Sequence, residues 1–177
     1  MANKHILPLS GTTSDGLVVC INEVESGFLT QLAGWGSFRE AADEALRARE
    51  IAFSDDYQTP ARSGNTTVWW VAPDRVLIRS EKPLGIESSS DLVALNLSDA
   101  RIAVTVEGLG AAGLLSRVVA LDFTECAFPV GSFVQTSLHH VGVLIDRHGS
   151  DRFTIFIPTT WAKSLIGLLA DHLSNAA

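Results

Sequence analysis

Hydrophobic positions in this chain fall into short blocks set apart by clusters of Gly, Pro, Asn, Asp and Ser, and the blocks follow two different spacings. Leu17-Val18-Val19-Cys20-Ile21 is a continuous apolar run with β-branched members, too short for a helix, and predicts a buried strand. After Ser37 the period changes. Phe38, Ala41, Ala42, Ala45 and Leu46 share one helical face, while Arg39, Asp43, Glu44 and Arg47 take the wet side. Ser37 followed by Glu40 is the pattern of a capping box and predicts the start of this helix. Turn-forming residues crowd positions 55–65 and lead into Thr66-Thr67-Val68-Trp69-Trp70-Val71, which has strand composition. Pro73-Asp74 interrupts that strand and Val76-Leu77-Ile78 resumes it, predicting a hairpin with its turn at residues 72–75. Ser88-Ser89-Ser90-Asp91 then punctuates the chain before Leu92-Val93-Ala94-Leu95, which is expected as a short helical turn.

The second half repeats this order. Ile102, Val104 and Val106 alternate with Ala103 and Thr105, and Gly108 opens a segment of good helical propensity at residues 111–119. Strands are expected at residues 133–138 and 141–145, then a turn at His148-Gly149-Ser150-Asp151 and a strand carrying Phe153, Ile155 and Ile157. The last element is a helix capped by Thr159 or Thr160. Trp161, Ala162, Leu165, Ile166, Leu168, Leu169 and Leu173 leave it a narrow polar stripe of Lys163, Gly167 and Asp171. Strand, helix, two or three strands and helix, twice over, predict an α+β fold of two coupled split β-α-β half-units with antiparallel sheets and packed helices. The halves are expected at residues 1–95 and 96–177, joined in one compact structural unit.

Composition narrows the classes of function. The chain has 177 residues with a net charge of −7, so it lacks the positive field that a nonspecific grip on nucleic acid needs. Hydrophobic residues make up 46% and mean hydropathy is +0.23, apolar enough to suggest surface buried in partners. No run approaches the roughly 18 apolar residues of a membrane span. Lys4 and Pro8 do not suit a secretory leader, which points to the cytoplasm. Cys20 and Cys126 are far apart, and each is expected as a small buried hydrophobe rather than a disulfide partner or ligand.

Few residues suggest chemistry. Gly108, Gly110 and Gly113 fit G-x-G-x-x-G between a predicted strand and a predicted helix, where amide groups can cradle a pyrophosphate. A dinucleotide site needs an acidic residue about 20 positions on, after a second strand. Asp122 and Glu125 come too early for that, so the motif is read as a plain strand-to-helix turn. His139 and His140, if in a strand, face opposite sides and cannot hold one metal together; His148 is expected in a turn. Asp43-Glu44 and Asp55-Asp56 pair carboxylates, but on a polar helix face and in a turn. No nucleophile elbow or Walker A lysine motif is present. Trp69 and Trp70 face opposite sides of a strand, so one fills the core and the other needs a second cover, from a helix of this chain or from a partner.

Several landmarks in order resemble the gamma subunit of heterotetrameric sarcosine oxidase: Trp70-Val71-Ala72-Pro73-Asp74 with Leu77, Leu97-Ser98-Asp99-Ala100-Arg101, Glu107-Gly108, Leu114-Leu115 and Leu121-Asp122. Phe128-Pro129-Val130-Gly131, Gln135-Thr136 and the closing helix continue the likeness, which covers residues 66–173. Arg75 stands where an acidic residue commonly follows Pro-Asp, and Asn96 where an Asp commonly precedes Leu-Ser. These departures leave open an equivalent subunit acting with N-methylglutamate, dimethylglycine or an N-methylproline. The resemblance implies a fold similar to the folate-binding aminomethyltransferase module, in a small subunit docked on the alpha subunit of an alpha-beta-gamma-delta complex. It implies FAD, FMN, NAD and zinc in other subunits, tetrahydrofolate as cosubstrate, and no catalytic, cofactor or metal residue in this chain. Two other classes compete. One is a free-standing folate-binding one-carbon protein, whose pterin carboxylate would come from Glu107, Asp99 or Asp122; the other is a transient assembly factor.

Overall fold

The computed structural model describes residues 7–54 and 56–174; Asp55 of the second carboxylate pair and the start of the N-terminal segment, residues 1–6, lie outside the described residues. The fold is α+β, with two antiparallel sheets. The chain opens with β1 (Leu9–Thr12) and β2 (Val18–Val24). It continues through β3 (Phe28–Gly34), α1 (Phe38–Arg47), β4 (Ala61–Ser63), β5 (Thr66–Ala72), β6 (Arg75–Ser80) and β7 (Leu92–Asn96). Then come β8 (Arg101–Glu107), α2 (Ala111–Val118), β9 (Phe133–Leu138), β10 (Val141–Gly149), β11 (Arg152–Pro158), a 3-10 turn at Thr159–Trp161 and α3 (Ala162–Asp171).

Two compact units share this chain: Met1–Glu25 with Ala100–Ala177, and Ser26–Asp99. The expected division at 95/96 does not match them. β2 pairs along β8, from Cys20 opposite Glu107 to Val24 opposite Ala103, so the first two strands belong with the C-terminal half. Residues 26–99 form an insert between paired strands.

In the discontinuous unit the sheet order is β1-β2-β8-β11-β10-β9. Alternation puts Val19, Ile21, Val104, Val106, Val143, Ile145, Phe153, Ile155 and Ile157 on one face, against α2 and α3. Ala103, Leu144 and Phe156 on the other face are also buried. In the inserted unit the order is β4-β5-β6-β3-β7. Leu32, Val68, Trp70, Val76 and Ile78 pack under Phe38, Ala42 and Leu46 of α1, while Leu29, Trp69 and Leu77 on the second face are buried as well. Sheets buried on both faces account for the positive hydropathy, which therefore does not by itself require a partner. α3 is likewise spent inward: Ala162, Leu165, Ile166 and Leu169 are core residues of the unit, and the large apolar side chain exposed beside it is Trp161.

Four local expectations change. Leu92–Asn96 is a strand, not a helical turn, because it pairs with β3 from Gly34 opposite Leu92 to Thr30 opposite Asn96. With β7 in that place the inserted unit has no closing helix, so the echo between halves is partial. Ser37 precedes α1 without the expected side-chain cap, and Thr159 and Thr160 lie in the 3-10 turn rather than capping α3. His148 lies within β10 rather than in the turn that follows it.

Candidate functional site

The glycine motif resolves into packing. Gly108 has φ of +115°, and a Cβ on it would lie 2.4 Å from the Val18 carbonyl oxygen; one on Gly110 would lie 2.8 Å from the Leu17 carbonyl oxygen. The amide of Gly110 donates to Val18 O at 3.1 Å. These glycines let the start of α2 press against the start of β2, occupying the backbone that a phosphate would need. Gly113 has open space around it.

The candidate carboxylates do not converge. Glu107 accepts from Arg152 Nε at 3.0 Å across the β8–β11 pair. Asp122 turns inward on its own loop, accepting the Thr124 amide at 2.9 Å, and that hydrogen bond holds its carboxyl below the ordinary carboxylate range. Asp99 ends the inserted unit. Asp43 pairs with Arg47 at 2.9 Å, one helical turn away. Asp56 accepts the Gln58 amide at 2.8 Å, which lowers its pKa in the same way.

Two surface cavities lie in the inserted unit. One, of about 270 Å³, is lined by Arg39, Glu40, Asp43, Arg47 and Phe53 beside the wet face of α1. The other, of about 210 Å³, lies along β7, with Phe28, Pro83, Leu84, Ile86 and Leu95 in its wall. Neither is lined by Glu107, Asp99 or Asp122. Under the first, Phe53 lies tilted against Trp70 with ring centroids 4.7 Å apart, Tyr57 and Phe38 meet Trp70 edge-on, and the Arg39 guanidinium is 5.5 Å from its ring. Trp69 is 1% exposed and Trp70 2%, so this chain covers both indoles itself.

The most demanding polar site is structural. Arg147 is buried on β10 and donates to four backbone carbonyls: Gly149 at 3.1 Å, Phe123 at 2.9 Å, Ser150 at 2.8 Å and Phe128. Its guanidinium lies 5.2 Å from the Phe153 ring and 3.8 Å from the Glu125 carboxylate. The fork thus ties the loop after α2 to the β10–β11 turn, a task for which a five-donor planar group is suited. Arg49 does similar work in the other unit, joining Leu84 O and Gly85 O to the end of α1. Sequence inspection singled out neither arginine, since nothing in the local pattern reveals which carbonyls will be left without partners.

His139 and His140 are not in a strand. They form the turn between β9 and β10, both with positive φ, and their ring centroids are 5.5 Å apart, so the argument that they face opposite sides does not apply. Cys126 is exposed rather than buried, and Cys20 is half-buried; both are free. Among the described residues no group of three or more His, Cys, Asp or Glu gathers as a metal centre, and no helix is long and apolar enough to cross a membrane.

Neither a protein-family model nor a curated protein sequence matches this chain. Its fold nevertheless falls in a known class: it is similar to glycine cleavage system aminomethyltransferase T from Bartonella henselae, with a TM-score of 0.57 and 15% identity over 84% of this chain. The chain spans 44% of that protein's length, less than half. A nearer likeness in size is a chain of the heterotetrameric sarcosine oxidase from Corynebacterium sp. U-96, solved in complex with pyrrole 2-carboxylate. There the TM-score is 0.75 and the identity 24%, over 88% of this chain and 83% of that one. At these identities the likeness establishes the fold, and the resemblance read along residues 66–173 is met by a chain of the same enzyme.

Proposed function

We propose that this chain is the small, gamma-type subunit of a heterotetrameric oxidase of sarcosine or a related N-methylated amino acid, and that it acts by docking on the large alpha subunit. The carrying observation is the near-complete match, in both directions, with one chain of such an enzyme. That likeness takes in 83% of the oxidase chain, whereas the one to the aminomethyltransferase takes in 44%. In this reading the complex demethylates sarcosine to glycine, passes electrons to oxygen to give hydrogen peroxide, and hands the one-carbon unit to tetrahydrofolate. FAD, FMN, NAD and zinc belong to the alpha, beta and delta partners, and the assembly works in the cytoplasm.

The chemistry of the chain supports a docking role. Its candidate carboxylates have local partners, and its glycine motif is packed against β2. Exposed apolar side chains remain for a partner in the discontinuous unit: Val18 at 55%, Leu109 at 70% and Trp161 at 51%. The first two adjoin through the close backbone approach at Gly108 and Gly110.

Co-expression of the tagged chain with the three candidate partner subunits tests this. The expected product is a stoichiometric yellow complex that releases hydrogen peroxide when given sarcosine or another N-methylated amino acid. Recovery of the tagged chain alone overturns the proposal, and micromolar tetrahydrofolate binding by the isolated chain replaces it with the free-standing folate reading.

A further inference from the structure

The β9–β10 hairpin is closed by two residues. Leu138 and Val141 pair across the turn, and His139 and His140 between them have φ of 46° and 70°. Two consecutive left-handed residues are the mark of a type I′ turn, whose twist matches a hairpin and whose usual occupants are Asn-Gly. A residue with a Cβ costs roughly 1–2 kcal/mol in that conformation. The hairpin therefore gives up local stability to carry two imidazoles at its tip, on the outermost strand of its sheet.

Both side chains are exposed, with ring centroids 5.5 Å apart and planes inclined at 52°. Two imidazoles bound to one metal at about 2.0–2.1 Å, with bond angles between square and tetrahedral, place their centroids roughly 4.5–5.2 Å apart. A small rotation about the side-chain bonds closes the difference. His148 and His172 differ from this pair: His148 Nε2 lies 2.9 Å from Thr154 Oγ1, and His172 Nδ1 lies 2.9 Å from Leu168 O.

We propose that His139 and His140 form a bidentate surface site for a divalent transition metal of borderline softness, such as Ni(II), Cu(II) or Zn(II). Neutral imidazole is a donor these ions favour, whereas Mg(II) and Ca(II) require oxygen ligands. Since no third His, Cys, Asp or Glu of the described residues joins the pair, water or a partner fills the remaining positions. The site does not depend on the subunit reading.

Calorimetric titration of the full chain with Ni(II) near pH 7.5 tests the proposal. One ion per chain at micromolar affinity is expected, and His139→Asn or His140→Asn alone weakens it at least about tenfold, because the second donor acts at high effective concentration. The double variant His139→Asn/His140→Gly restores the favoured turn pair, so it melts no lower than the parent while losing the site. Ni(II) raises the melting temperature of the parent but not of this variant. Unchanged affinity in the double variant, equal affinity in the single variants and the parent, or no binding by the parent below about 1 mM each overturns the proposal.

Discussion

Replacing Arg147 by Met keeps an apolar stem of similar length and removes the guanidinium, so the change isolates the four carbonyl contacts and the ring contact with Phe153. A charge-assisted hydrogen bond contributes about 1.5–3 kcal/mol, but bonds made by one group are not additive. The greater effect is that Phe123 O and Phe128 O are left buried without a donor. Together these give an expected loss of about 3–5 kcal/mol, the range for breaking a buried charged network. Against a whole-domain stability of about 5–15 kcal/mol, that is enough to melt the loop locally and threaten its unit. In urea, with a slope of about 2 kcal/mol per molar, the midpoint for the discontinuous unit falls by roughly 1.5–2.5 M. Hydrogen exchange read by mass spectrometry adds the location. The Gly131 amide, bonded to Arg147 O, and the Arg147 amide, bonded to Ser132 O, lose protection before the central pairs of β8 and β11 do. Arg147→Lys recovers less than half the loss, because one ammonium cannot reach carbonyls spread around a planar fork. Glu125→Gln changes stability by under about 0.5 kcal/mol, since that carboxylate is 61% exposed and 3.8 Å away. A midpoint shift below about 0.5 M for Arg147→Met, with loop protection intact, refutes the clamp.

The glycine motif gives a contrast within six residues. Gly108→Ala costs ~2–4 kcal/mol because its Cβ meets Val18 backbone at positive φ, whereas Gly113→Ala, with open space inside α2, gains ~0.5–1 kcal/mol; equal thermal shifts for the two refute the packing account. Asp122 should titrate below the ordinary value of 3.8, because the Thr124 amide favours its charged form. Its contribution to stability is therefore complete above the unfolded-state pKa and is lost as pH falls through the folded one, and Asp122→Asn removes that acid-side dependence. Carboxyl NMR titration checks it, and a value at or above 3.8 counts against the loop hydrogen bond.

Where an apolar run or a regular period stands between clear turn residues, the fold was legible. α1 and the strand carrying Ile102, Val104 and Val106 stand where periodicity puts them, and the Pro73-Asp74 turn joins β5 to β6 as read. Legibility failed at β3, where the buried Leu29 and Leu32 are three positions apart with Thr30 and Gln31 between them. Leu29 and Leu32 lie on opposite sides of β3 and are both fully buried, so this strand, which lies between β6 and β7, shows no alternation and passed without notice. β7 failed for a different reason, since pairing with β3 decides its state over a neutral local preference. The candidate site was legible mainly in the negative. Spacing showed that Gly108, Gly110 and Gly113 do not continue into a dinucleotide fold, but only coordinates show Val18 filling the turn. His139 and His140 were misplaced because His has no strong turn preference; the signal was the break between two strand runs that they separate.

The pairing of β2 with β8 has a consequence for synthesis. Emerging from the ribosome ahead of the insert, β1 and β2 find no neighbour for the edge that β8 will cover until the whole of Ser26–Asp99 has been made. The inserted unit contains its own complete set of strand partners and can condense while translation proceeds. Val19 and Ile21 meanwhile remain open to holding chaperones, so that folding proceeds outward from the insert although synthesis runs along the chain.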